Sequence, residues 1–375
     1  MKYTKSKLPD ICTIKTGKHD ANHANKEGKY RFYTCSNQYS MCDTYSFTGE
    51  SVIVPGNGDI GLVFYYDGEF DAYQRTYVLS DIKILPKYLF YHMQLYWRNF
   101  NDQKKFGSTV KYVRMSNFTN YEISYPSIEE QQCIVAKIEE LFSDLDNAVE
   151  TLNATKTQLE VYRQAVLSDM LCKTTTNSTL DECLISLQNG IAKRSGTYGT
   201  PVKVLRLSNI TNDSVIADSE MRSINLTTTE QQKYLLDEED GVFVRVNGST
   251  NRVGRLILIN KDKEYAYCDH LIRCKFDTGV VIPKFIKLCL DTQHSRNYMM
   301  NNLVSSAGQN TISQTTIRNL PLWIPDLIDQ DQIIYEIDSR LSAYENIEQT
   351  VNDALQQATA MRQSILKQAF EGRLI

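Results

Sequence analysis

The chain has 375 residues, enough for two or three domains with separate cores, and its 42% hydrophobic and 23% charged content is that of an ordinary soluble protein. No apolar run approaches a membrane span, no charged-then-apolar leader opens the chain, and nine cysteines without a C-x-x-C pair argue against a disulfide framework, so a reduced, cytoplasmic setting is expected. The net charge of −4 conceals an alternation of +4 over 1–126, −5 over 127–173, +2 over 174–325 and −5 over 326–375, too mild to establish nucleic-acid binding but suggestive of a chain built twice.

In chain order, "LPDICTIKTGK" from Leu8 and "KYRFYTCSNQ" from Lys29 open a segment of short strands. The stretch "VIVPGNGDIGLVFYY" follows and contains Gly56-x-Gly58-x-x-Gly61. A dinucleotide fingerprint needs a strand before the glycines and a helix after them. Here Leu62-Val63-Phe64-Tyr65-Tyr66 is β-branched and aromatic, so the glycines are expected to turn a hairpin. A helix is expected in "LPKYLFYHMQLYWRNF" from Leu85, and "FGSTVKYV" from Phe106 precedes a long helical region. That region begins with Ser127-Ile128-Glu129-Glu130 after Pro126, a capping box. An apolar stripe continues through Ile134, Ile138, Leu141, Leu145, Val149, Leu152, Leu159, Tyr162 and Val166.

The second half repeats this plan. "PSIEEQQCIVAKIEELF…" from Pro126 aligns without a gap with "PDLIDQDQIIYEIDSRL…" from Pro325 at an offset of 199, matching Pro126, Gln131, Ile138, Ser143, Gln158, Arg163, Gln164 and Leu167 to Pro325, Gln330, Ile337, Ser342, Gln357, Arg362, Gln363 and Leu366. Its stripe is Ile333, Ile337, Leu341, Tyr344, Ile347, Val351, Leu355, Ala358, Met361 and Ile365, with Asp326 and Asp329 at the capping positions. Weaker matches pair the opening segment with "LDECLISLQNGI" from Leu180 and the Lys29 segment with "PVKVLRLSNI" from Pro201. They also pair the glycine hairpin with "GVFVRVNGSTNRVGRLILI" from Gly241, the first helix with "IPKFIKLCLDTQHSRNYMM" from Ile282, and Phe106 onward with "AGQNTISQ" from Ala307. The fold class expected is α+β: two pseudo-repeated mixed α/β units at 1–126 and 174–325, and two long helices at 127–173 and 326–375 forming an antiparallel coiled coil. Each helix would run about 60–70 Å, with the units at opposite ends.

No N/D-P-P-Y motif and no G-x-x-x-x-G-K-[ST] loop is present, and "LPD" at 8–10 and "IPD" at 324–326 fall at structural boundaries. Cys35 with Cys42 and Cys268 with Cys274 read as ordinary thiols, and His19 and His23 among Asn and Lys neighbours read as a polar loop, so no metal is expected.

The order of globule, helix, globule, helix, with "PSIEEQQCIVAKI" then "RQAVL" and "IPDLIDQDQIIYEI" then "RQSILKQAFEGRL", resembles the specificity subunits of Type I restriction–modification enzymes over essentially the whole chain. The first helix ends in "LSDMLCK", which departs from the pattern. The resemblance implies a non-catalytic reader of double-stranded DNA whose two target-recognition domains each read one half of a split site. The helices would set the spacing and dock two modification (M) subunits carrying S-adenosylmethionine, with restriction (R) subunits joining for cleavage. No cofactor and no membrane are implied for this chain.

Base readout draws on Arg, Lys, Asn and Gln, and phosphate positioning adds Ser, Thr and backbone N–H groups. Candidates in the first globule are Lys18, Lys29, Arg31, Ser36, Asn37, Asn57, Gln74, Arg75, Lys104, Lys105, Ser108, Thr109 and Lys111. In the second they are Lys193, Arg194, Lys203, Arg206, Asn209, Asn247, Ser249, Asn251, Arg252, His270, Arg273, Gln309 and Asn310. The hairpin tips are expected to present Asn57, and Asn251 with Arg252, to DNA. A protein–protein adapter without DNA reading, and a reader attached to a standalone methyltransferase, remain open as other readings.

Overall fold

The computed structural model describes residues 3–102, 106, 111–173, 176–211, 215–216, 221–259, 264–306 and 308–374, with backbone alone for 211, 215 and 216. The chain divides into two units, residues 1–153 with 352–375, and residues 154–351.

In the first unit the strands are β1 (Thr13–Thr16), β2 (Tyr30–Tyr33), β3 (Ser40–Cys42), β4 (Ser51–Pro55), β5 (Phe64–Tyr66), β6 (Phe70–Ala72) and β7 (Thr76–Ser80). One antiparallel sheet has the order β1-β7-β4-β5, and a second has the order β3-β2-β6 with β2 and β6 parallel. Helix α1 (Pro86–Asn101) and the start of the long helix α2 (Ile128–Leu171) complete the unit with the end of the last helix, α4 (Leu327–Phe370). Between them, in the second unit, run β8 (Leu184–Asn189), β9 (Thr200–Leu205), β10 (Arg222–Leu226), β11 (Gly241–Val244), β12 (Val246–Asn247), β13 (Leu256–Leu258), β14 (Tyr265–Tyr267), β15 (Leu271–Phe276), α3 (Pro283–Asp291) and β16 (Gln309–Thr311). The sheet orders are β8-β15-β11-β13 and β10-β9-β14, the latter again with one parallel pair, β9 with β14. The two units therefore share a topology that their weakly matched sequences only outline.

The glycine stretch is a hairpin. β4 and β5 pair antiparallel with Val52 opposite Tyr65 and Ile53 opposite Phe64. No helix follows Gly61 to receive a pyrophosphate.

The capping box at Ser127 forms as expected: Glu130 N–H donates to Ser127 Oγ at 3.4 Å and Ser127 N–H donates to Glu130 Oε2 at 3.2 Å. In the second copy Asp326 Oδ1 accepts Asp329 N–H at 2.9 Å. The helices pack antiparallel. In the first unit Asp146 of α2 pairs with Arg362, and in the second unit Asp169 pairs with Arg340 at 3.4 Å, so the partner number falls as the α2 number rises. Ile134, Ile138, Phe142 and Leu145 share a core with Ala358, Ile365, Leu366 and Ala369. Val166, Leu167 and Leu171 share another with Ile334, Ile337, Leu341 and Tyr344. The stripe is narrower than its spacing implies: Tyr162, Ile347 and Met361 are exposed, whereas Phe142 and Ile334 are buried instead.

One buried side chain per unit fastens the helix to its globule. Gln131 is 2% exposed and Gln330 fully buried. Gln131 Oε1 accepts the N–H of Leu85, the residue capping α1, at 2.9 Å, and its Nε2 donates to Pro126 O at 2.9 Å. Gln330 Oε1 accepts the N–H of Ile282, the residue capping α3, at 2.8 Å, and its Nε2 donates to Val280 O and Pro325 O. Each amide thus satisfies backbone groups that would otherwise be buried without partners. Lysines of α1 and α3 repeat the tie at the surface, Lys87 to Glu139 at 2.6 Å and Lys284 to Asp338 at 2.5 Å, where solvent leaves such pairs little weight.

Deep in the first unit His92 Nδ1 lies 2.9 Å from the Tyr121 hydroxyl, with its ring edge-on to Phe370 of α4. Burial pushes its imidazole down to about 3.

Two outcomes follow. Gln131→Ala or Gln330→Ala should lower unfolding free energy by about 2–4 kcal/mol, since orphaned buried polar groups cost roughly 1–3 kcal/mol each, while the exposed Gln158→Ala stays within about 0.5 kcal/mol in the same urea titrations. Because His92 is neutral in the fold and titrates near 6.5 when unfolded, the stability it contributes is present above about 6.5 and is lost as pH falls toward 3. Urea midpoints between about pH 7 and 5, where carboxylates remain ionised, should fall less steeply in His92→Gln than in the native chain.

Candidate nucleic-acid interface

The hairpin loop of the first unit is pinned at three points by the backbone. Gly56 N–H donates to Arg75 O at 2.8 Å, Gly58 N–H to Lys111 O at 3.0 Å, and Val113 N–H to Gly56 O at 2.8 Å. A Cβ on Gly56 would stand 2.3 Å from Arg75 O, and Gly58 has φ +74, so both glycines are there for close approach and backbone geometry. Gly61 lies beneath the Arg98 guanidinium, which pairs with Asp59 at 2.7 Å.

This pinning gathers Asn57, Gln74 and Arg75 with Tyr77 and Tyr112 around a cavity of about 390 Å³. The Gln74 and Arg75 side chains are exposed and have no side-chain partner among the described residues. Lys18 is exposed one residue from His19, whose carbonyl accepts Gln74 N–H at 2.8 Å. Arg31 stands apart, stacked between Tyr39 and Tyr66 at 4.5 and 4.4 Å from their ring centres. Lys29 lies over Tyr30, and Ser36 and Asn37 sit on an exposed turn. Lys111 is exposed, while Lys104, Lys105, Ser108 and Thr109 lie outside the described residues.

The second unit makes the same three-way pinning with other residues. Arg245 N–H donates to His270 O at 2.8 Å, Ile312 N–H donates to Arg245 O at 3.0 Å, and Asn247 pairs with Asn310 in the β12–β16 ladder. His270 therefore holds the place of Arg75, and Asn310 that of Lys111. The string match of Phe106 with Ala307 is two residues out of this hydrogen-bonded register, because backbone pairing rather than the shared glycine fixes the equivalence. Asn247 and Arg252 line a small concavity, and Ser249, Asn251, Arg252, His270 and Gln309 are exposed. The Asn251 carbonyl is taken by Arg255 and Arg296, which stiffens the hairpin tip. Arg194 and Lys203 are exposed, and Arg206 is half-buried.

Four expected contacts are committed to the fold instead. Arg273 is 7% exposed, donating to Leu235 O at 2.9 Å and Gln188 Oε1 at 2.7 Å beside Asp240. Burial pushes the Asp240 carboxyl above its ordinary value while Arg273 acts in the opposite direction. Asn209 is buried, its side chain accepting Arg206 N–H at 3.1 Å as a cap. Asn310 is buried against Gly248 O and Ser305. Lys193 is held by Glu230 at 2.7 Å. Residue type and loop position selected these four; burial withdraws Arg273, Asn209 and Asn310 from the surface, whereas Lys193 stays partly exposed and is engaged by Glu230. Arg114, which stacks on Phe106 at 4.2 Å beside the first loop, and Arg245, which spans the second loop, were not selected. Arg114 lies two residues from Tyr112 in the sequence, whereas Arg245 meets His270 only through the fold.

A family model described as Type I restriction modification DNA specificity domain matches residues 1–161 and 188–357. The specificity subunit of the StySPI Type I restriction enzyme from Salmonella potsdam is 31% identical over 306 residues, spanning 78% of this chain and 66% of that protein. The EcoDI specificity subunit of Escherichia coli is 26% identical over 400 residues, spanning 98% and 87%. In solved structures, a chain of the type I R-M system, studied for complex assembly and conformational transition, superposes with a TM-score of 0.69 at 15% identity, spanning 99% of this chain and 98% of that one.

Arg273→Ala should destabilise the second unit by about 3 kcal/mol, as removal of one partner of a buried polar network does. Urea unfolding of Arg273→Ala checks this, and native stability with one relaxed base position would instead return Arg273 to the interface.

Proposed function

The chain belongs to the family of Type I restriction–modification DNA specificity proteins, and from that premise we propose that it is the sequence-reading, non-catalytic subunit of such a complex. Each globule reads one half of a two-part DNA site. The observation that carries this reading is the repeated pinned loop: one backbone arrangement presents Asn57, Gln74 and Arg75 in the first unit and Asn247, Arg252 and His270 in the second. A fixed backbone with exchanged side chains is what two readers of different sequence require.

The chemistry of readout follows from the side chains. Arg75 can span guanine O6 and N7, and Asn57 or Gln74 can pair with adenine N6 and N7 in the major groove. Lys18 and Lys111, both exposed, bear on phosphate, which sets register without reading sequence. Tyr77 and Tyr112 line the cavity and offer apolar contact. Methylation belongs to two modification subunits that bring S-adenosylmethionine, and cleavage to restriction subunits. The paired helices hold the spacing of the two halves and dock those partners. No helix among the described residues is long and apolar enough to cross a membrane.

Binding of the assembled complex to a panel of single-base variants of its motif tests the assignment. Arg75→Ala should relax one position of one half-site by about 1–3 kcal/mol, and His270→Ala one position of the other. Lys111→Ala should weaken all variants alike and reduce the salt slope by about one unit. If neither Arg75→Ala nor His270→Ala alters affinity for any variant, the loops do not read bases, and a scaffold without sequence reading becomes the better account.

A further inference from the structure

His19 and His23, expected in a polar loop, are brought into contact with each other. The one-turn helix Ala21–His23, capped by the Asp20 side chain, folds them together so that their rings stack with centres 3.8 Å apart. Both Nε2 atoms converge on one oxygen of Asp71, at 3.5 Å from His19 and 3.6 Å from His23. Asp71 lies on β6 and its side chain is fully buried. Its Oδ1 accepts Ala72 N–H at 2.8 Å, and its Oδ2 also accepts the Ser46 hydroxyl at 3.1 Å. Thr44 Oγ1 stands 3.2 Å from His23 Nε2 at the same point.

We propose that His19, His23 and Asp71 form a binding site for one divalent transition-metal ion of the zinc class. The three donor atoms lie within 4.8 Å of one another. Ligands about 2.0–2.1 Å from a tetrahedral zinc ion sit roughly 3.4 Å apart, close to the two nitrogen–oxygen separations found. Two imidazoles and a carboxylate suit zinc, cobalt or nickel, whereas magnesium and calcium favour all-oxygen sets. Ser46 supplies the outer hydrogen bond that orients the carboxylate. The His19 and His23 side chains are 41% and 21% exposed, which leaves an entry path and a fourth position open to water. Binding requires the rings to turn from their stacked setting until both lone pairs meet, and the His19 side chain is the more exposed of the two.

A buried carboxylate is costly unless paired. Among the described residues the ion-pair partners of Asp71 are these two imidazoles alone. The fold itself does not ask for the carboxylate. In the second unit the matching strand pairing, with Tyr73 N–H on Tyr33 O and Cys268 N–H on Leu205 O, sets Ala266 in the place of Asp71. The cluster is thus an addition peculiar to the first unit. Through His19, which bonds Gln74 by its carbonyl, a bound ion braces the loop carrying Lys18 against β6 and the strand turn leading to Arg75. That bracing role rests on the proposed DNA reading, whereas ion binding itself does not.

The test uses the full chain, stripped with chelator and titrated without DNA with zinc by calorimetry and with cobalt by visible absorption. One ion per chain, a cobalt band of tetrahedral intensity and a zinc-dependent rise in melting temperature are expected. His19→Ala and His23→Gln should each weaken binding at least tenfold, since even outer-shell changes cost about that much, while the exposed His294→Ala leaves it unchanged. Circular dichroism confirms that each variant is folded. A native chain that takes up no stoichiometric ion, or uptake that persists when both His19 and His23 are replaced, overturns the site. Either failure leaves DNA reading untouched. If zinc binds but sequence-specific DNA affinity is the same with and without it, the site stands and the bracing role falls.

Discussion

Everything in this chain hangs on how a long helix is fastened to a small globule, and a buried glutamine does the fastening twice. Gln131 and Gln330 each place an amide where the helix begins, accept the N–H of the residue that caps the globule's own helix, and donate to the proline carbonyl just ahead of the long helix. No apolar side chain could do this, because backbone donors and acceptors would be left buried and unpaired. The amide therefore ties the start of α1 to the start of α2, and the start of α3 to the start of α4, alongside the apolar cores they share.

The same separation of duties recurs at the loops. Backbone hydrogen bonds from Gly56 and Arg245 hold the hairpin to the neighbouring strand turn and to the segment before the long helix. These bonds place no demand on the side chains at Arg75 or His270, so those positions are available for recognition without penalty to the fold. Gly56 is the exception: Arg75 O leaves no space for a Cβ there, whereas the second unit makes the equivalent backbone bond from Arg245, whose side chain runs to Asp269 O. The glycine pattern of the first loop is thus a local packing solution, which explains why the second unit lacks it.

The parts of this arrangement that repeat were legible in the residues. The gapless match of the helical regions, the Ser127–Glu130 cap and the strand run after Gly61 each followed from local pattern, and the helix pair and hairpin are present. The matched Gln131 and Gln330 were visible as identities, but not as buried anchors, since glutamine is ordinarily a surface residue. Arg273, Asn209 and Asn310 share residue types with the exposed candidates, and only tertiary burial separates them. Tyr162, Ile347 and Met361 fit the helical spacing yet lie outside the seam, because an α-helix drifts against a fixed apolar repeat along its length. Asp71 joins His19 and His23 across some fifty residues of chain, a distance at which spacing carries no signal.

The central claim is that two homologous globules on one chain read two separate halves of one DNA site. Methylome sequencing of a host given this chain together with its modification subunit addresses it most directly. The account predicts a single methylated motif made of two defined parts separated by a fixed number of unspecified bases. A continuous motif, two motifs that occur independently, or no chain-dependent motif would contradict it.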